Sequence, residues 1–149
     1  VGGYVAANKD IITYLRHASR AYIFSAALPP AQAAAANEAF KVILDEPERI
    51  VKLNLNTKQF IGGLKSMGFD TMLTETAIVP VSCGDDMTAF AITREAQLND
   101  VFVLPVVSPA VPEGLARLRA TVTAAHDPSE IERAMDVIGE AGKKLGIIK

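Results

Sequence analysis

The spacing of apolar residues changes character twice along this chain, and each change marks a boundary. Ile50, Leu53, Thr57, Phe60, Ile61, Leu64 and Met67 recur at intervals of three and four, the signature of one helical face. Pro47 opens this helix, Glu48 puts negative charge in its first turn, and Gly68 can close it in the left-handed conformation. The pair Gly62-Gly63 lies inside the pattern, although each glycine costs a helix about 1 kcal/mol relative to alanine. Nothing in the neighbouring residues accounts for it.

Ahead of that helix the signals are mixed. Residues 3–6 carry a weak strand signal, and residues 8–19 an amphipathic helix with Ile11, Ile12 and Leu15 on one side. Tyr22-Ile23-Phe24-Ser25 reads as extended. Pro29-Pro30 then opens a helix so rich in alanine (Ala31, Ala33 to Ala36, Ala39) that it is expected to be closely packed around most of its circumference.

Beyond Gly68 short strands alternate with helices. Residues 77–82 read as a strand whose Pro80 demands an edge or irregular position. Asp85 or Asp86 caps a helix running to about Leu98, and residues 101–107 form a second strand. A loop over residues 108–114 leads to a third strand, 115–123, suited to antiparallel pairing with the second. Asp127-Pro128-Ser129-Glu130 then supplies an N-cap, a first-turn proline and a capping glutamate. The last helix carries Ile131, Ala134, Met135, Ile138, Ala141 and Leu145 on one face, with Gly146 at its end. The predicted organisation is a helical piece of a larger domain over residues 1–45, a linking helix over 46–68, and a compact α+β unit over 69–149.

Composition narrows the function classes. A net charge of −2 and a pI near 5.7 leave no basic footprint for nucleic acid or anionic lipid. The single Cys83 excludes an internal disulfide and fits a reducing, cytoplasmic setting. His17, Cys83 and His126 lack metal-ligand spacing, and no apolar run approaches the ~18–20 residues of a membrane span. The chain opens at Val1 in apolar sequence without a methionine or a signal peptide, which reads as a piece of a larger protein.

Two places can carry chemistry. Alternation in the third strand puts Leu118, Ala120 and Val122 on one face and Arg117, Arg119, Thr121 and Thr123 on the other. An arginine in mid-strand can grip a carboxylate with two parallel hydrogen bonds. Taken alone, the strand is better explained as a solvated face whose arginines make surface ion pairs. Ser25, just ahead of a proline-started helix, can hold a phosphate, although serines there are more often caps or turn formers. His126 reads as a capping or packing residue, His17 as helix surface, and Cys83 as a small buried apolar group. Asp85-Asp86 and Glu46/Glu48 stand where helix starts favour negative charge.

Four segments, in order, carry a resemblance that the residue chemistry alone does not supply. Gly2-Gly3-Tyr4-Val5-Ala6, Tyr22-Ile23-Phe24-Ser25-Ala26-Ala27-Leu28-Pro29-Pro30, Thr76-Ala77-Ile78-Val79-Pro80-Val81, and Leu118-Arg119 with Ala124-Ala125-His126 are similar to the α-oxoamine synthases. This family of fold-type I pyridoxal-phosphate enzymes includes 8-amino-7-oxononanoate synthases, glycine C-acetyltransferases and serine palmitoyltransferases. The resemblance implies the C-terminal small domain of such a transferase, with a short, largely antiparallel sheet and flanking helices, plus helices from the large cofactor-binding domain.

By the same resemblance the parent condenses glycine, alanine or serine with an acyl-CoA. Arg119 matches the arginine that holds the amino-acid carboxylate, and Arg117 a less constrained neighbour. Ser25 and Ala26 match the segment that reaches the cofactor phosphate across a homodimer interface. The Schiff-base lysine falls upstream of Val1, so the chain alone is expected to be inactive. Ser108-Pro109-Ala110-Val111-Pro112 stands where oxononanoate synthases commonly have proline-proline-threonine-valine-proline, so Ala110 lacks a hydroxyl there, and the run Val103-Leu104-Pro105-Val106-Val107-Ser108-Pro109-Ala110 looks closer to some serine palmitoyltransferase-like members. A different class of answer is a non-catalytic subunit that retains the aminotransferase-like fold.

Overall fold

A computed structural model describes residues 2–149, which separate into two compact units, Val1–Pro47 and Glu48–Lys149. In the first unit, α1 (Lys9–Ala18) begins where the side chain of Asn8 accepts the Ile11 N–H at 3.0 Å. The extended conformation predicted for residues 22–25 does not form. Tyr22 and Ile23 belong to a short helix, α2 (Arg20–Ile23), because Ser19 ends one helix and caps the next, its Oγ accepting the Tyr22 N–H at 3.4 Å. Residues 3–6 form no strand either, since no ladder pairs their backbone.

The proline pair does open a helix, α3 (Pro30–Asp45), with Pro29 at its cap position. None of its residues is buried, so the neighbours that its alanines call for are not among the described residues. A single edge-on contact joins Tyr4 and Phe40, ring centroids 5.4 Å apart.

The second unit holds the core. Its sheet has the order β1-β3-β2, formed by β1 (Ile78–Gly84), β2 (Leu104–Val106) and β3 (Ala116–Thr121), with both pairings antiparallel. The fold is α+β, with the sheet covered on one face only. Val79, Val81, Leu118 and Ala120 pack there against Ala89, Ile92 and Ala96 of α5 (Asp86–Leu98) and Ile131 and Ile138 of α6 (Pro128–Lys144).

Hydrogen bonding explains both strand prolines. The Val122 N–H donates to Ala77 O at 2.8 Å, so alternate residues of β3 bond toward β1 and those between them toward β2. Pro80 and Pro105 fall opposite Arg119 and Leu118, at positions where no donor is required. The second strand is shorter than residues 101–107. Val101 N is still occupied by Ala96 O at the end of α5, and past the strand Ser108 N turns to Asp86 Oδ1 and Val107 O to Ala110 N.

Caps set the helix boundaries. Asp85 Oδ1 accepts the Thr88 N–H at 3.0 Å and Oδ2 the Thr88 hydroxyl at 2.7 Å. Those bonds, the hydroxyl first, hold the Asp85 carboxyl below its ordinary range. Glu130 Oε2 accepts the Asp127 N–H at 2.8 Å at the start of α6. After α4 (Glu48–Ser66), Gly68 takes φ +100° and the Phe69 N–H reaches back to Leu64 O at 3.0 Å.

The unexplained glycine pair resolves into two cases. A Cβ at Gly63 would overlap Met135 Sδ of α6, so this glycine lets the two helices approach. Gly62 faces open space and has no such role. On α6, Gly139 makes room for Met67, while Gly142 is covered by the Phe69 ring and Ile148. Gly62→Ala is expected to stabilise the chain by about 0.5–1 kcal/mol. Gly142→Ala forces a buried ring to move and should cost about 1–3 kcal/mol. Urea denaturation of both variants measures the two opposite signs.

Cys83 lies on the covered face, and burial pushes its thiol up from 9.0 to about 11, with the Asp85 charge adding to the shift and a backbone bond at Leu118 opposing it. A raised folded value means the unfolded chain loses this proton first. Stability from this group is therefore intact below pH 9 and lost progressively as pH rises toward 11. Thermal melts across that window should fall less steeply for Cys83→Ala than for the parent chain.

Candidate functional site

The uncovered face of the sheet gathers the polar chemistry of the second unit. Along β3, Ala116, Leu118 and Ala120 are buried while Arg117 is half-buried and Arg119 and Thr121 are exposed, the alternation of a strand with one wet face. Being central, β3 places Arg119 between Pro80 on one neighbour and Leu104 on the other. Among the described residues no carboxylate or other acceptor is bonded to its guanidinium.

Arg117 shares the face in a different state. Its Nε donates to Leu115 O at 3.0 Å and its Nη1 lies 3.1 Å from Met72 Sδ. The predicted surface ion pairs do not form at either arginine; one side chain is occupied by neutral acceptors and the other has none. Two depressions flank the strand, and Arg119 borders both. One, of about 720 Å³, is lined by Met72, Thr76, Pro80, Val106 and Arg117. The other, of about 510 Å³, is lined by Phe60, Phe102, Thr121, His126 and Ile131. A cation beside apolar walls suits a small ligand with one carboxylate.

The turn beyond β3 is held from below. Asn56 of α4, 3% exposed, donates from Nδ2 to Thr123 O at 3.0 Å and to His126 O at 2.9 Å. His126 Nδ1 accepts the Thr123 N–H at 3.2 Å, which leaves the ring proton on Nε2. His126 is thus a turn-closing residue, in keeping with a capping or packing role. Asn56 escaped the sequence reading, although it interrupts an apolar stripe between Leu53 and Phe60, and a polar residue there needs buried partners.

Ser25 and Ala26 lie in the first unit, exposed, Ser25 in a bend and Ala26 in the irregular stretch between α2 and α3. Arg119 belongs to the second unit. The Ser25 hydroxyl has no partner among the described residues. His17 lies on the exposed surface of α1 with Nδ1 2.8 Å from Thr13 O, and Ala110 is exposed in the loop after β2. Among the described residues no group of His, Cys, Asp or Glu could hold a metal, and no helix is long and apolar enough to cross a membrane.

Comparison with known proteins gives this geometry a context. Residues 1–138 match the model of the family described as aminotransferase class I and II. The chain is 40% identical over 148 residues to the 8-amino-7-oxononanoate synthase of Bacillus pumilus, covering 99% of this chain and 38% of that protein. It is 38% identical over 147 residues to the 2-amino-3-ketobutyrate coenzyme A ligase of Salmonella typhimurium, covering 99% of this chain and 37% of that one. Among solved structures, the serine palmitoyltransferase of Sphingomonas wittichii superimposes with a TM-score of 0.79 at 28% identity, over 96% of this chain and 36% of the other. A serine palmitoyltransferase from S. paucimobilis with PLP and myriocin bound gives 0.82 at 32%, over 95% and 36%. The chain thus spans a little over a third of the length of these relatives.

Replacing Asn56 with alanine removes its two hydrogen bonds to the Thr123 and His126 carbonyls, which should cost about 1–3 kcal/mol. A urea midpoint for Asn56→Ala within error of the parent would show the turn to be held by other means.

Proposed function

Because the chain belongs to the aminotransferase class I and II family, we propose that it is the carboxyl-terminal part of an α-oxoamine synthase, a transferase joining a small amino acid to an acyl-CoA. The observation that carries this reading is the state of Arg119: an unpaired guanidinium at the centre of the sheet's open face, bordered by apolar walls. Held by two parallel hydrogen bonds, a substrate carboxylate would fix the orientation of the amino acid, and Arg119 would act by positioning. Residues 1–45 would then belong to the large cofactor-binding domain and residues 69–149 to the small one, joined through the helix over 46–68.

Pyridoxal phosphate, when bound, supplies the electron sink that makes a carbanion at the amino-acid Cα accessible. Ser25 is compatible with its phosphate: the hydroxyl is exposed, free of intramolecular partners among the described residues, and close ahead of the 16-residue α3. On this reading Ser25 and Ala26 serve the partner subunit's cofactor in a cytoplasmic homodimer, and the cofactor lysine lies outside these 149 residues. Catalysis would therefore require the parent polypeptide.

Charge-assisted hydrogen bonds contribute about 1.5–3 kcal/mol, so Arg119→Ala in the parent enzyme should raise the amino-acid KM about 10- to 100-fold with the cofactor absorbance retained. Loss of cofactor with KM unchanged would overturn the assignment. Free-thiol release with glycine, alanine and serine against short and long acyl-CoAs identifies the substrate pair, and no thiol release with any pair would instead support a non-catalytic module.

A further inference from the structure

Two contacts distinguish Arg117 from Arg119 on the open face, and the residue that makes the side-chain one is unusual. Met72 has φ +55°, a left-handed conformation that non-glycine residues seldom adopt and that bulky side chains resist. Asp70 holds it there: its Oδ1 accepts the Met72 N–H at 2.8 Å, while its own carbonyl accepts the Ser82 N–H of β1 at 2.9 Å. The segment is thereby tied to the sheet, and the Met72 thioether comes to rest 3.1 Å from Arg117 Nη1. With Nε on Leu115 O, two of the three nitrogens of the Arg117 guanidinium are engaged.

We propose that Met72 is a specificity-determining positioning residue: by holding Arg117 aside, it leaves Arg119 as the one arginine of the open face whose guanidinium is unengaged among the described residues, and so favours amino acids with one carboxylate over dicarboxylic ones. The inference rests on the reading of Arg119 as the carboxylate ligand and extends it to the choice of substrate. Residues two apart on a strand face the same way about 6.8 Å from each other, a distance that a dicarboxylate can bridge between two flexible arginines. A released Arg117 would offer the second cation. Sulfur is a weak acceptor, so it can occupy a guanidinium without neutralising the charge, as a carboxylate would.

The test uses this chain and two probe anions, acetate and succinate, titrated at constant ionic strength while the arginine Nε–Hε resonances are followed by NMR. In the parent chain both anions should shift Arg119 and leave Arg117 in place, with similar affinities. Met72→Gly removes the side chain and also suits φ +55°, so folding is preserved. In that variant succinate should shift both arginines and gain about two- to fivefold in affinity over acetate. The gain should vanish in the double variant Met72→Gly/Arg117→Gln, an outcome that a merely structural role for Met72 would not produce.

Arg117 responding together with Arg119 in the parent chain, or an unchanged succinate-to-acetate ratio in Met72→Gly, overturns the role of Met72 alone. An Arg119 resonance that ignores both anions overturns the carboxylate reading on which it rests.

Discussion

The second unit depends on β3 being hydrogen-bonded along both edges. A central strand leaves its residues no freedom of register: a slip of one position would turn Leu118 and Ala120 to solvent and drive Arg117 and Arg119 into the core. Burial of three apolar side chains on one face therefore determines the direction of the arginines on the other. The edge strands tolerate Pro80 and Pro105 because their outward positions lack ladder partners. Chemistry on the open face is thus a by-product of packing on the closed one.

Close approach of α4 and α6 is the second constraint. Gly63 faces Met135, and Gly139 and Gly142 face Met67 and Phe69, so large side chains from one element fill the space that small residues leave on the other. Asn56 lies on the same helix surface and turns two of its donors to the carbonyls beyond β3. The loop that follows the arginine strand is consequently fastened to a helix rather than left to solvent. Buried polar groups of this kind specify geometry because leaving their partners unmet is costly.

Charge on the open face is shaped more by neutral contacts than by ion pairs. Arg117 is held by a carbonyl and a thioether, neither of which cancels its charge, while Arg119 has neither. Ion pairs such as Lys41–Glu38, Lys52–Asp127, Arg133–Asp100 and Lys144–Glu95 involve other side chains, most of them solvent-exposed, and contribute little to stability. A cation kept unpaired in this way is available to a ligand without having to break a salt bridge first.

Local signals were enough for much of this. Period-two alternation assigned Arg117 and Arg119 to one face, Pro80 declared an edge, and Asp85 and Gly68 marked helix ends, because each depends on backbone geometry within a few residues. The likeness of four segments to the α-oxoamine synthases gave the family. What depended on residues distant in sequence was not legible. The second strand shrank at its far end because Ser108 N was drawn to Asp86, 22 residues away, whereas Tyr22 and Ile23 became helical through a local cap at Ser19 that their β-prone apolar character concealed. The reason for Gly63, the buried donors of Asn56 and the unequal states of the two arginines all appear only when helices and strands are brought together. By itself the sequence determined which way each side chain points along its own element; only the tertiary structure decided what each one meets, since contact energies depend on neighbours that local spacing does not encode.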